Sequence, residues 1–351
     1  MFTITSREPF HIMGNVVDLA RPAFGGPPRI PHDNSWTGIT WDDFIRTRVA
    51  QNDIPIDNGY TLCGYEIPEP VLETILCRVL DGDILNCNFV CRAWKDLITR
   101  KSFWKKCFEY KGISWNKIPT QIREKPEGWM VLYSHFRYET FSKNFIKNPS
   151  GHLGFDGWSI YTNGGDQWRV EDVPCGCNEL PESSFFGPND MSCFVSSFQW
   201  CSKYYIVDLW NEGLNPAIMR ISLPLQIKCS QMYATRFDCG GIFKWELRLL
   251  DSQEKIIREH KAYIERPPRT EWETAEYSFK FKISHADFMK QIRYLVFIHE
   301  GRDSQFWKGH YGMKFARSCV TVESLDSDPE ESELETDETG HEDSSSDYGH
   351  E

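Results

Sequence analysis

IPEPVLETILCRVLDGDILNCNFVCRAWKDLITRKSFWKKCFEY, running from Ile67 to Tyr110, carries more apolar side chains than so short a stretch can bury by itself. Pro68 marks a helix start, where a fixed φ and a missing N–H cost least. Val71, Leu72, Ile75, Leu76, Val79 and Leu80 recur at three- and four-residue spacing, the pattern of a helix with a wide apolar face. Asp81-Gly82 is a turn pair that ends it. Asp83 offers a cap for a short helix carrying Ile84, Leu85, Cys87 and Val90. A third helix covers about Arg92 to Ile98, with Trp94, Leu97 and Ile98 on it. Ser102 offers the cap of a fourth, which holds Phe103, Trp104, Cys107 and Phe108. A unit of about forty residues rarely closes a core alone, so the surplus apolar surface reads as a docking module.

Beyond this module the texture changes to strands. Phe243, Trp245, Leu247 and Leu249 alternate with Lys244, Glu246 and Arg248, a period of two. Tyr277, Phe279 and Phe281 alternate with Ser278 and Lys280. IKCSQMYATRF from Ile227, YYIVDLW from Tyr204 and YLVFIHE from Tyr294 are further strand-like runs. Asn163-Gly164-Gly165-Asp166, Asp238-Cys239-Gly240-Gly241 and Pro267-Pro268 punctuate them. Many short strands with turn signals and little helix predict an all-β antiparallel sandwich after a small all-α unit.

The expected organisation is a flexible N-terminal segment over 1–62, the helical module over 66–112, a linker with a helix over 113–140, the sandwich over 141–323 and an acidic disordered tail over 324–351. The first segment is broken by PAFGGPPRIP. WMVLYSHFRY from Trp129 supplies the linker's helix. The tail explains the net charge of −12: from Glu323 onward there are thirteen Asp or Glu and no Lys or Arg. The remainder is close to neutral, so no nucleic-acid groove is expected. The tail itself is too polar and charged to fold alone.

No basic n-region precedes a clean apolar run near Met1, and no apolar stretch is long enough to span a membrane. Twelve cysteines then read as reduced, several of them small apolar residues of the helical module, in a cytoplasmic protein. Cys175-Gly176-Cys177 lacks the paired spacing of a zinc site, and no metal or cofactor is expected. Asp166 and Glu171-Asp172 do not form a convincing acid pair. No P-loop, GxSxG or HExxH occurs. The chain therefore reads as a binding protein rather than an enzyme.

The helical module resembles the F-box motif. The entry at Ile67-Pro68, the Ile75-Leu76 pair, the turn at Asp81-Gly82, Val90-Cys91-Arg92-Ala93-Trp94 and the closing Trp104 carry the resemblance. It implies docking to the Skp-family adaptor of an SCF-type ubiquitin ligase, and through it to a cullin and a RING subunit. The implied adaptor contacts are Pro68, Ile75, Leu76, Val79, Leu85, Val90 and Trp94.

The C-terminal region is similar to the F-box-associated domain of glycoprotein-recognising F-box proteins. NFIKNPSGHLGFDGW (Asn144–Trp158), GGDQWRVEDVP (Gly164–Pro174), SSFQWC with YYIVDLW (Ser196–Trp210) and FIHEGRDSQFWKGHYG (Phe297–Gly312) carry that likeness. It implies a jelly-roll-like sandwich whose loops hold the chitobiose core of high-mannose N-glycans through Phe198, Phe306, Trp307 and Lys308. The implied role is the substrate receptor of the ligase, taking misfolded glycoproteins. Two alternatives stay open: a receptor of the same assembly that reads a protein surface, and a cytosolic lectin-like chaperone.

Overall fold

The computed structural model describes residues 59–62, 65–79, 82–187 and 190–325. Residues 1–58 of the expected flexible segment, and the acidic tail from residue 326, lie outside these, as do Leu80 and Asp81. A helical N-terminal region leads into an antiparallel sandwich of two sheets.

Two short strands, β1 (Thr61–Leu62) and β2 (Tyr65–Glu66), pair ahead of the helices. Helix α1 runs Glu69–Leu76, with Pro68 at its cap position and Leu72 and Leu76 facing inward. It ends before the apolar spacing does, because the last bonds tighten to i→i−3 at Arg78 and Val79. One turn, α2 (Ile84–Cys87), follows; Asp83 stands at its cap position but its side chain makes no capping bond. Then come α3 (Arg92–Ile98) and α4 (Lys101–Lys111). Ser102 sits inside the first turn of α4 rather than capping it. Arg100 holds the cap position instead, ion-paired to Glu69 of α1.

The segment after α4 is folded through its length. Ile118 and Ile122 are buried, the latter on the short helix α5 (Thr120–Arg123). Helix α6 (Gly128–Tyr138) is buried from Gly128 to Phe136, as expected of a helix that is apolar nearly all round. Gly128 has to be glycine: a Cβ there would stand 2.3 Å from the Ile122 carbonyl oxygen. Trp104 of α4 packs edge-on against Tyr133 and Phe136 of α6, at 5.9 and 5.7 Å between centroids. On its other side Ser134 Oγ donates to the Gly213 carbonyl (2.6 Å), and Lys125 Nζ donates to the Ile221 carbonyl (2.6 Å). One continuous apolar core thus runs from the helical module into the sandwich.

The sandwich comprises β3 (Ser159–Asn163), β4 (Arg169–Glu171), β5 (Cys193–Val195) and β6 (Cys201–Asp208), then a helix α7 (Pro216–Ile221). It continues with β7 (Leu225–Ala234), β8 (Gly241–Asp251), β9 (Ile256–Arg266), β10 (Glu273–Phe281), β11 (Ile292–Asp303) and β12 (Lys314–Ser324). One sheet has the order β10-β7-β12-β5-β4 and the other β3-β6-β11-β8-β9. Phe243, Trp245, Leu247 and Leu249 all point into the core, as their alternation predicts. Asn215 caps α7 by accepting from the Ala217 and Ile218 N–H groups.

Candidate functional site

Four connections meet at the end of the sandwich opposite α6 and α7: β3–β4, β5–β6, β7–β8 and β11–β12. Buried Ser197 ties three of them together. Its Oγ donates to the Gly309 carbonyl (2.8 Å) and accepts from the Asp166 N–H (2.9 Å). Its own carbonyl accepts from the Asp303 N–H (3.1 Å). Ser304 N–H donates to the Gly240 carbonyl (3.1 Å), which adds the β7–β8 connection. Gly165, at φ +62°, lies against this hub; a Cβ would stand 2.7 Å from Ser197 Oγ and 2.9 Å from the Phe198 ring. Glycine is the residue that serves both the turn and the close approach.

Asp303, fully buried at the end of β11, fixes the last loop. Its Oδ1 accepts from the Phe306 N–H (2.7 Å) and its Oδ2 from the Trp307 N–H (2.9 Å). Phe306 is held at φ +60°, a region bulky residues rarely occupy. The result is an ordered turn that presents two rings to solvent, Phe306 60% and Trp307 43% exposed. Phe198 and Phe306 meet at 6.3 Å and 61°, so the two loops form one wall. Trp307 is braced edge-on by Tyr311 at 5.6 Å. Tyr311 in turn lies under Arg236 (4.6 Å), whose guanidinium is locked to Asp238 at 2.9 and 3.1 Å. Arg302 sits 5.5 Å from the Phe306 ring and 4.9 Å from that of Trp200. Lys308 is exposed on the same turn, and His310 Nε2 lies 3.2 Å from the Asp166 carbonyl.

The structure therefore brings Phe198, Phe306, Trp307 and Lys308 to one end of the molecule. Asp303, Ser197, Gly165 and Tyr311 complete that end and were not singled out from sequence. The signal for Asp303 was present: an Asp three and four residues before the presented rings is the spacing of a side-chain-to-backbone turn. Chemically, this end offers flat aromatic faces with ammonium and amide donors beside them, which suits a ring with one apolar face and hydroxyls at its edge.

Among the described residues no group of three or more His, Cys, Asp or Glu is placed to hold a metal ion. Glu171 cannot serve as half of an acid pair, because its carboxylate is bound to buried Lys314 Nζ at 2.6 Å.

The helical module presents a second surface. Val90 is 60% and Ile75 of α1 41% exposed, and Pro68 at the cap of α1 is exposed as well. Val79, Leu85 and Trp94 are half-buried against the core. Trp94 Nε1 donates to the Gly59 carbonyl at 2.7 Å, so its ring is fixed. Leu76 differs: it is buried in the core and gives the free surface nothing. Val71 and Phe89, not in the expected set, are as open as Ile75.

Comparison with known proteins agrees with both halves. Residues 65–110 match the family described as F-box-like, and residues 136–322 match the F-box associated region. F-box only protein 6 of Mus musculus is 32% identical over 263 residues, 73% of this chain and 82% of that protein. F-box only protein 44 of Homo sapiens is 30% identical over 265 residues, 73% of this chain and 95% of the relative. F-box only protein 2 of Bos taurus is 28% identical over 278 residues, covering 77% and 88%. With both regions matched in order and a sandwich behind the helices, the chain belongs to the family of F-box proteins that carry a C-terminal F-box-associated domain.

Proposed function

We propose that this chain is the substrate-recognition subunit of an SCF-type ubiquitin ligase and that its loop end reads the inner part of high-mannose N-glycans on misfolded glycoproteins. The exposed row on α1 and the turn around Val90 docks the adaptor. The chain performs no bond chemistry; it holds a client near a ubiquitin-charged enzyme and so raises the effective concentration of its lysines. The observation that carries the glycan reading is the Asp303-held turn, which keeps Phe306 and Trp307 open to solvent beside Phe198. Trp307 stacks on the apolar face of an N-acetylhexosamine. Phe306 and Phe198 wall the N-acetyl methyl group, and Lys308 donates to hydroxyl or amide oxygens.

Such a site is weak for one sugar unit. Stacking gives about 0.5–1.5 kcal/mol beyond burial, and each neutral hydrogen bond nets about 0.5–1.5 kcal/mol. Millimolar binding already requires about 4 kcal/mol. Efficient capture therefore needs several glycans on one client, or protein contacts beside the glycan. Phe237, exposed on the β7–β8 connection next to Arg236, favours a second reading in which this end also grips a protein surface. Pull-down of a denatured glycoprotein, with and without its N-glycans removed, separates the two. Capture that survives deglycosylation and Trp307→Ala belongs to the protein reading.

A further inference from the structure

Away from the loop end, a groove of about 710 Å³ lies between residues 142–152 on one side and Ser184, Phe185, Phe186 and Asp190 on the other. Its volume is within the range of small-molecule sites, roughly 300–1,000 Å³. Phe185, Phe186, Ile146 and Pro149 give it an apolar wall, and Asp190 also lines it. Asp190 is only 8% exposed. Its Oδ2 accepts from Ser150 Oγ at 3.0 Å, while its Oδ1, also buried, has no hydrogen-bond partner among the described residues. Ser150 Oγ in turn accepts from the Arg317 N–H at 2.9 Å, so the carboxylate is positioned by its surroundings. Arg317 stands behind at φ +52°, its guanidinium 5.5 Å from the Phe186 ring and its buried Nε unpartnered. A buried carboxylate oxygen left without a donor costs free energy, so one on a residue that lines a groove points to a ligand that donates.

The charges at the rim say which kind of donor. Lys143 and Lys147 both reach Glu212, at 2.6 and 3.8 Å, and Arg317 offsets Asp190. Two lysines share the one Glu212, so the rim stays positive at Lys147 while the lining also carries the Asp190 carboxylate, and such mixed signs select neither a cation nor an anion. A neutral polyol with one apolar face satisfies all of this. Its hydroxyl pair donates to Asp190 Oδ1, and its C–H face lies on Phe185 or Phe186. We propose that this groove is a second saccharide site, one that takes a neutral pyranose and is separate from the loop end. The two sites lie on one run of chain: Asp190 and Phe198 are eight residues apart through β5, at most about 28 Å. The choice of mannose as the sugar rests on the high-mannose reading above; the groove itself does not.

The test uses the full chain with its adaptor and an α-linked trimannoside that lacks chitobiose, followed by ligand-observed NMR. Saturable binding is expected, weakened at least fivefold in Asp190→Asn and unchanged in Trp307→Ala. Because Asp190→Asn could disturb the Ser150–Arg317 contacts, Phe185→Ala, a half-exposed ring whose removal leaves the fold intact, is expected to weaken it likewise. No binding at tens of millimolar trimannoside would overturn the proposal. So would binding that both groove variants leave unchanged, or binding that Trp307→Ala abolishes. Chitobiose titration of the same proteins reports the loop end separately, so failure of either site is distinguishable from failure of the other.

Discussion

At the scale of single residues, the loop end depends on Asp303. Its two charge-assisted bonds to backbone N–H groups are worth about 1.5–3 kcal/mol each when made by a buried ionised group. Asp303→Ala is expected to lower stability by about 2–4 kcal/mol in urea unfolding and to weaken sugar binding by about tenfold or more. Wild-type affinity in that variant would show that the turn holds itself. Lys314 is the second such residue. With Glu171 it forms a fully desolvated pair at 2.6 Å, so Lys314→Met alone should cost about 3–5 kcal/mol, and Lys314→Met with Glu171→Leu much less. Urea midpoints of the three proteins check this. Phe306, Trp307 and Lys308 came from the likeness to the F-box-associated domain, and the Gly-flanked connection that carries the two aromatics agrees with their exposure. Asp303 was passed over, because its partners are backbone amides and only its spacing, three and four residues before the two rings, marks the turn. Leu76 was misplaced among the surface contacts for a geometric reason: neighbours on a helix point about 100° apart, so Ile75 faces solvent while Leu76 faces the core.

At the scale of elements, the strands that were legible are those with one core face and a clean period of two. β8 shows it through Phe243 to Leu249, and β10 through Tyr277 to Phe281. β9 and β12 were not read. β9 is an edge strand whose residues are nearly all exposed or half-exposed, so no apolar row marks it. β12 is central and buried, but it opens with Lys314, carries Arg317 at a left-handed φ, and slips register between Ala316 and Cys319. Charge and bulge hide it from a hydrophobic pattern. The four helices of the module and α6 were readable, while the short α5 and α7 were not; the ends were not readable either, since Arg100 and Asp83 hold cap positions without side-chain capping bonds. The open row on α1 and around Val90 gives an element-level prediction. Ile75→Asp and Val90→Asp should each weaken adaptor co-purification by tenfold or more, while shifting stability by less than about 0.5 kcal/mol because both sites are open to solvent. Unaltered co-purification in both variants would place the adaptor elsewhere.

At the scale of the molecule, α6 makes the helical module and the sandwich one cooperative body, and β11 carries its far end about 40 Å away at the usual strand rise. That arrangement sets the loop end apart from the open face of α1, with packed core between them. The shared core also predicts acid sensitivity. Burial, with the charge of Lys117 second, pushes His135 of α6 down to about 4. An unfolded histidine takes up its proton near pH 6.5. Below that the unfolded chain binds more protons than the folded one, so stability is whole above about pH 6.5 and falls by up to ~1.4 kcal/mol per pH unit toward pH 4. His299, buried between Trp158 and Phe315, is shifted in the same direction. Urea midpoints should drop between pH 7 and pH 5; a flat profile would mean that these rings are reached by water.

The proposed function requires that the loop end read sugar while the helical module holds the adaptor. Titration of the adaptor-bound protein with chitobiose, followed by tryptophan fluorescence, tests it most directly. A saturable change that Trp307→Ala abolishes, with the adaptor still bound, is expected. No change at millimolar chitobiose, or the same binding curve in Trp307→Ala, would contradict it.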